Sequence, residues 1–172
     1  SPILCLLLLV VVSASSKCGV FTSSCHSSGE KSVIDKSYLV GDKNGQMEEM
    51  YLSEVTFFSG NCSDPLFTIT KKATVNSRSV EDDTHTKYRT VINAIEVTIS
   101  DFDLLKEDGI VCTVDEETVF PIPITDVDCY YSSIPILDGY KRLIGSSMDV
   151  QVEYKDDSIL INGVENVLNS EK

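Results

Sequence analysis

Between Tyr51 and Val75 the chain runs YLSEVTFFSGNCSDPLFTITKKATV, and this stretch constrains the fold more than any other. Two segments rich in β-branched and aromatic residues flank Ser59-Gly60-Asn61-Cys62-Ser63-Asp64-Pro65, a cluster of turn formers. The pattern predicts an antiparallel hairpin with a cysteine at its tip. On the first strand Tyr51, Val55 and Phe57 share one face with Ser53 between them, and Leu52, Glu54, Thr56 and Phe58 take the other.

The rest of the chain repeats the theme. Ser32 to Val40 is a plausible strand, and Asp42-Lys43-Asn44-Gly45 carries an Asn-Gly pair suited to a two-residue hairpin turn. Lys87 to Ser100 is the clearest strand of the middle. Val91, Ile95, Val97 and Ile99 are expected on its buried face, with Thr90, Glu96 and Thr98 on the other. Asn76 to Thr86 is expected to be a polar loop. Asp101 to Asp108 has the composition of one helical turn closed by Gly109. Prolines at 121, 123 and 135 confine their segments to sheet edges or extended loops. Tyr140 to Ile144 is taken as a short strand. Ser147 to Tyr154 alternates cleanly, Ile159 to Ile161 returns the chain, and Val164 to Lys172 is taken as a tail after Asn162-Gly163. Eight to ten short strands with little helix point to an all-β fold. An antiparallel up-and-down barrel of about eight strands, with disulfides, is preferred over a sandwich because the links are mostly short.

Ile3 to Val12 is an uncharged apolar run too short to cross a bilayer, followed by small residues. Residues 1–16 are therefore expected to be a secretory signal peptide, leaving 17–172 as a single barrel domain. No second long apolar run exists, so no membrane span is expected. An oxidising compartment makes the remaining cysteines a disulfide framework of Cys25, Cys62, Cys112 and Cys129, with Cys18 the odd one. Cys62 and Cys112 either bridge each other or tie to Cys25 and Cys129. Cys18, beside the expected cleavage point, could form an intermolecular bridge and hence a dimer. Asn61-Cys62-Ser63 is an N-glycosylation sequon, which marks Asn61 as an acceptor in the hairpin turn.

A net charge of −13 with no basic face argues against nucleic acid and against electrostatic attachment to a membrane surface. No nucleophile elbow, phosphate loop or zinc-protease motif is present, and His26 and His85, the two histidines, fall in polar loop segments. The cysteine spacing fits no zinc site, the acidic runs fit no EF-hand, and no metal or other cofactor is expected. No catalytic residue is singled out.

Cys62-Ser63-Asp64-Pro65-Leu66-Phe67-Thr68-Ile69 resembles the Cys-x-x-Pro-x-aromatic-Thr-aliphatic signature in the lipocalin-like repeats of the adenomatosis polyposis coli down-regulated family. Gly19-Val20-Phe21 loosely resembles the Gly-x-Trp start of lipocalin-type barrels, with Phe21 in place of tryptophan. The match covers roughly residues 19–112. Members of that family are secreted or membrane-tethered Wnt antagonists. The resemblance implies a lipocalin- or calycin-like barrel that takes up a lipid-like chain.

The first functional expectation is a secreted, non-enzymatic barrel that binds a hydrophobic small molecule or the acyl chain of an acylated protein. Tyr51, Phe57, Phe67, Ile69, Ile95 and Val97 are the expected apolar wall. The second is an extracellular interaction or adhesion sandwich acting through its surface, with an apolar patch around Ile122, Ile124, Ile134 and Ile136. The third is a hydrolase, which needs two convergent carboxylates or a buried His85 beside a serine.

Overall fold

The computed structural model describes residues 19–41, 47–156 and 158–168. The expected signal peptide, Cys18 and the Asn44-Gly45 turn lie outside the described residues. The elements run β1 (Gly19–Ser23), β2 (His26–Ser28), β3 (Lys31–Gly41), β4 (Met47–Ser59), β5 (Asp64–Val80), β6 (His85–Ile99), α1 (Phe102–Glu107), β7 (Ile110–Cys112) and β8 (Ile122–Pro123). A 3₁₀ turn at Ile124–Asp126, β9 (Cys129–Tyr131), β10 (Ile134–Pro135), α2 (Asp138–Lys141), β11 (Ser147–Tyr154), β12 (Ser158–Ile161) and β13 (Val164–Leu168) complete the order.

Strand β1 decides the architecture, because it pairs antiparallel with β13 on one side and with β3 on the other. The ring β1-β3-β4-β5-β6-β11-β12-β13 therefore closes into an eight-stranded antiparallel barrel with no free edge. Neighbours in the ring follow one another in sequence, except that β2 intervenes between β1 and β3, residues 100–146 intervene between β6 and β11, and β13 meets β1 from the far end of the order. The excursion at 100–146 carries α1, α2 and a small second sheet in the order β10-β9-β7, and among the described residues β8 is its one strand that pairs with the barrel wall, through β6.

The segment taken as a tail is the closing strand. Asn162 (φ 49°) and Gly163 (φ 82°) make a tight turn with both central residues left-handed, as a hairpin of matched twist requires, and β13 returns along β12 to meet β1. Tyr140 to Ile144 is not a strand. Asp138 opens a short helix there and Lys141 closes it, an arrangement that suits the helix dipole. The segment expected as a polar loop, Asn76 to Thr86, is mostly hairpin: β5 runs to Val80 and β6 starts at His85, with exposed polar side chains on the overhang. The expected helical turn forms, with Asp101 Oδ1 accepting from Leu104 N at 3.0 Å and Gly109 at φ 77° after its end.

A bulge resets the faces of β6. Lys72 pairs with Ala94 and Ala73 with Ile92, which leaves Asn93 as the extra residue. Thr86, Tyr88, Thr90 and Ile92 point inward before it, and Ile95, Val97 and Ile99 after it. Thr90, expected outside, is fully buried and donates to the Met148 carbonyl at 2.8 Å. Val91, expected inside with Ile95, faces outward and is half-buried. Strict alternation carried across an unseen bulge inverts every residue on one side of it.

Two disulfides fasten the fold. Cys25–Cys62 ties the link between β1 and β2 to the β4–β5 turn, and Cys112–Cys129 joins directly opposed residues of β7 and β9. Of the two expected arrangements, the one in which Cys62 and Cys112 tie to Cys25 and Cys129 is the one formed. The excursion packs tightly on the barrel. Where Phe67, Val97 and Ile99 meet Leu105, Ile110, Cys129, Ile136 and Leu137, a void of only about 10 Å³ remains, room for one water at most.

Candidate ligand site inside the barrel

Residues directly opposed in a ladder point to the same face, so the register places the interior side chains in rows. One row is Val33, Phe57, Phe67 and Ile99; the next is Asp35, Val55, Ile69 and Val97; the next is Ser37, Ser53, Lys71 and Ile95. The expected wall residues Tyr51, Phe57, Phe67, Ile69, Ile95 and Val97 therefore all face inward. Ile69, Ile95 and Val97 are packed at 0–1% exposure in the core, and Tyr51 and Phe67 are also buried. Phe57 alone of the six is half-exposed, with its ring stacked on Phe67 at 4.7 Å between centroids.

The inner face is unevenly covered. On β6, β11 and β12 the inward residues Ile92, Ile95, Val97, Val150, Val152 and Ile159 are buried. On β3, β4 and β5 the inward residues Val33, Ser37, Tyr51, Phe67, Ile69 and Ala73 are buried too, but Asp35, Ser53, Val55, Phe57 and Lys71 among them are only half-buried. A side chain on the inner face of a closed barrel meets solvent only from within or through the mouth. This block is thus the accessible part of the interior.

It is also polar at one end, which the apolar expectation for the wall does not include. The Tyr51 hydroxyl lies 3.2 Å from Ser37 Oγ, and burial pushes its phenol up. His26, on β2 rather than in a loop, places Nε2 3.1 Å from Asp35 Oδ2 and Nδ1 3.1 Å from the Ser24 carbonyl oxygen. Burial raises the Asp35 carboxyl, against the lowering pull of His26 and Lys71. Burial lowers the Lys71 ammonium, against the raising pull of Asp35. Tyr140, from α2 of the excursion, lays its ring 5.7 Å from Lys71 Nζ, and burial raises its phenol as well. Among the described residues no carboxylate oxygen lies within ion-pairing distance of Lys71 Nζ.

Lys71 had a signal in the sequence: it stands in period with Phe67, Ile69 and Ala73, a charge at an inward position of an otherwise apolar row. Tyr140 had none, because only the path of the excursion brings it to the barrel. Asp35 and His26 meet because β2 doubles back on β3.

Elsewhere, Asn61 is exposed at the hairpin tip, as an acceptor must be. His85 is held at the β5–β6 turn by Asp82, 2.9 Å from its Nδ1, and no serine hydroxyl bonds either histidine ring among the described residues. The apolar patch expected around Ile122, Ile124, Ile134 and Ile136 does not form as such. Ile124 is fully buried, Ile122 and Ile136 are half-buried, and only Ile134 is exposed. A different row, Val111, Tyr130 and Pro135, lines the outer face of the small sheet. Beside it, a surface cleft of about 330 Å³ has Phe102, Leu105 and Val114 in its floor and Asp115, Glu116 and Glu117 at its rim.

Comparison with known proteins matches the sequence to no family and to no curated relative. The fold itself, a closed eight-stranded barrel with two disulfides, is compatible with ligand binding.

Proposed function

We propose that the chain is a secreted, non-enzymatic carrier whose barrel holds a hydrophobic ligand with a single acyl-type chain. The observation that carries this reading is the half-exposed inner block of β3, β4 and β5. Val55 and Phe57 offer an apolar track on the inside of a closed barrel, where a chain would lose water on all sides. The fully packed opposite wall limits the ligand to one slender chain and keeps the barrel rigid around it. Two disulfides support an oxidising, extracellular setting. Both ring nitrogens of His26 face acceptors, which leaves it no role as a base toward a serine.

The test is a titration of protein from a secretory host, stripped of lipid, with a fluorescent fatty-acyl probe. Saturable binding at one site per chain is expected, together with its loss in Phe57→Asp at unchanged circular dichroism. Absence of saturable binding by the folded wild type would sink the reading.

A second reading rests on the exposed row of Val111, Tyr130 and Pro135, which suits contact with another protein. Discrete complexes that survive Phe57→Asp and are lost in Tyr130→Glu would favour it.

A further inference from the structure

We propose that Lys71 receives the anionic head group of the ligand, so that the barrel selects ionised amphiphiles over neutral ones of the same chain length. The inference rests on the carrier reading and adds the chemical class of what is carried. It excludes the acyl group of an acylated protein as the preferred cargo, since an ester or amide has no charge at that end.

The argument begins with register. Lys71 is an inward residue of β5, directly opposed by Ser53 on β4 and one row from Val55. The barrel thus commits a cation to its half-buried interior at the end of the apolar track. A lysine ammonium is strongly hydrated, and taking it from water is unfavourable unless an anion or several acceptors replace that water. Asp35 is the nearest candidate inside the barrel, yet its carboxylate is engaged by His26 at 3.1 Å and does not reach Nζ. The Tyr140 ring face at 5.7 Å compensates the charge in part, as a cation–π contact does, without supplying a hydrogen-bond acceptor. Among the described residues the ammonium of this half-buried side chain therefore has a ring face beside it and no hydrogen-bonded acceptor.

Ser53, directly opposed to Lys71, and Ser37, one strand further on and paired with the Tyr51 hydroxyl, stand in the same row, so hydroxyl groups lie on one side of the lysine. This is the donor set that an ionised head group needs: one charge and neighbouring O–H groups. From that row to the Phe57 row is four residues along the strand, roughly 13 Å at the usual rise. A head group at Lys71 therefore directs its chain past Val55 toward Phe57. Carboxylate and phosphate monoester heads share this chemistry, and the two sources are separated below by experiment. An anion at Nζ would also offset, by its charge, the burial that depresses the Lys71 ammonium.

The experiment compares a sixteen-carbon fatty acid, the corresponding lysophosphatidate and the corresponding fatty alcohol on three proteins: wild type, Lys71→Met and Lys71→Arg. Dissociation constants are read by displacement of the acyl probe at neutral pH. In the wild type at least one of the two anions is expected to bind about tenfold or more tightly than the alcohol, the gain of one charged hydrogen-bonded contact. The anion that shows the preference identifies the source. In Lys71→Met the preference collapses while alcohol binding persists, which also shows that the variant is folded. Lys71→Arg retains it. Equal binding of acid, phosphate and alcohol by the wild type overturns the proposal. So does an anion preference that survives Lys71→Met. Failure of all three ligands to bind the wild type overturns the carrier reading itself.

Discussion

Tyr140 and Lys71 belong to different layers of the molecule and meet face to charge, with Lys71 Nζ 5.7 Å from the centre of the tyrosine ring. One is an inward residue of the barrel wall. The other comes from the excursion that interrupts the ring between β6 and β11. The contact places α2 over the polar end of the half-buried inner block, and the carrier reading then links ligand access to how firmly the excursion sits.

Removing the ring should loosen that cover. Tyr140→Ala loses the cation–π contact and the packing of a half-buried aromatic, together about 1–3 kcal/mol. Tyr140→Phe, which keeps the ring, should cost under about 1 kcal/mol. Urea unfolding reads the stability difference. Stopped-flow release of the acyl probe should be faster in Tyr140→Ala than in Tyr140→Phe. Equal release rates in the two variants would mean that α2 does not gate the interior.

The two disulfides act on different parts. Chain entropy assigns about 4 kcal/mol to Cys25–Cys62, whose ends are 37 positions apart in sequence, and about 3 kcal/mol to Cys112–Cys129, 17 apart. The paired serine variants Cys25→Ser/Cys62→Ser should show the larger fall in unfolding midpoint. In Cys112→Ser/Cys129→Ser the barrel amides should keep their hydrogen-exchange protection while β7 and β9 lose theirs. Simultaneous loss of protection in both regions would mean that excursion and barrel unfold as one unit.

Much of this architecture is legible in the sequence, and the failures have identifiable causes. Strands β4, β5 and β11 follow from alternation, and Gly60 to Pro65 and Asn162-Gly163 from turn chemistry. Val91 and Thr90 were inverted because Asn93, an ordinary polar residue in sequence, is the bulge. Closure by β13 was hidden, since Val164 to Leu168 becomes a strand through β1, which lies at the other end of the chain. The wall residues were legible as inward-facing. Which of them stay accessible was not, because that depends on where residues 100–146 pack. Lys71 was readable as a charge in an inward row, whereas its partners Tyr140 and Asp35 depend on tertiary placement.

The turn between β5 and β6 should respond to pH through one exposed pair. Asp82 accepts from the backbone of Thr84 at 2.8 Å, which lowers its carboxyl most, and from His85 and the Thr84 hydroxyl, which lower it further. His85 is raised above the ordinary histidine value, chiefly by its bond to Asp82. The depressed Asp82 supports the turn above the unfolded value of about 4, and its support is lost as pH falls through the folded value. The raised His85 contributes fully below about 6.5, and its contribution is lost as pH rises through the folded value. The turn is therefore tightest between those limits. A histidine-selective NMR titration should place His85 above its ordinary value in the wild type, with Asp82→Asn lowering it. An unshifted wild-type titration would show that the pair does not persist in solution.

The last prediction concerns ring closure. Strand β13 supplies ladder partners to both β12 and β1, so its removal exposes two edges at once and opens the barrel. It also uncovers Ile159, which is fully buried, and Ser23, whose ladder partner is Asn166. Truncation after Asn162 should abolish cooperative unfolding and near-ultraviolet dichroism, although it removes only Gly163, the strand β13 and the residues after it. A milder probe is Gly163→Ala. Its φ of 82° strains any side chain there, while nothing within 4 Å would meet the added methyl group. The cost is then one of backbone conformation alone, about 1 kcal/mol, with the barrel still closed. A truncated chain that unfolds cooperatively near the wild-type midpoint would show that β1 and β12 do not depend on β13.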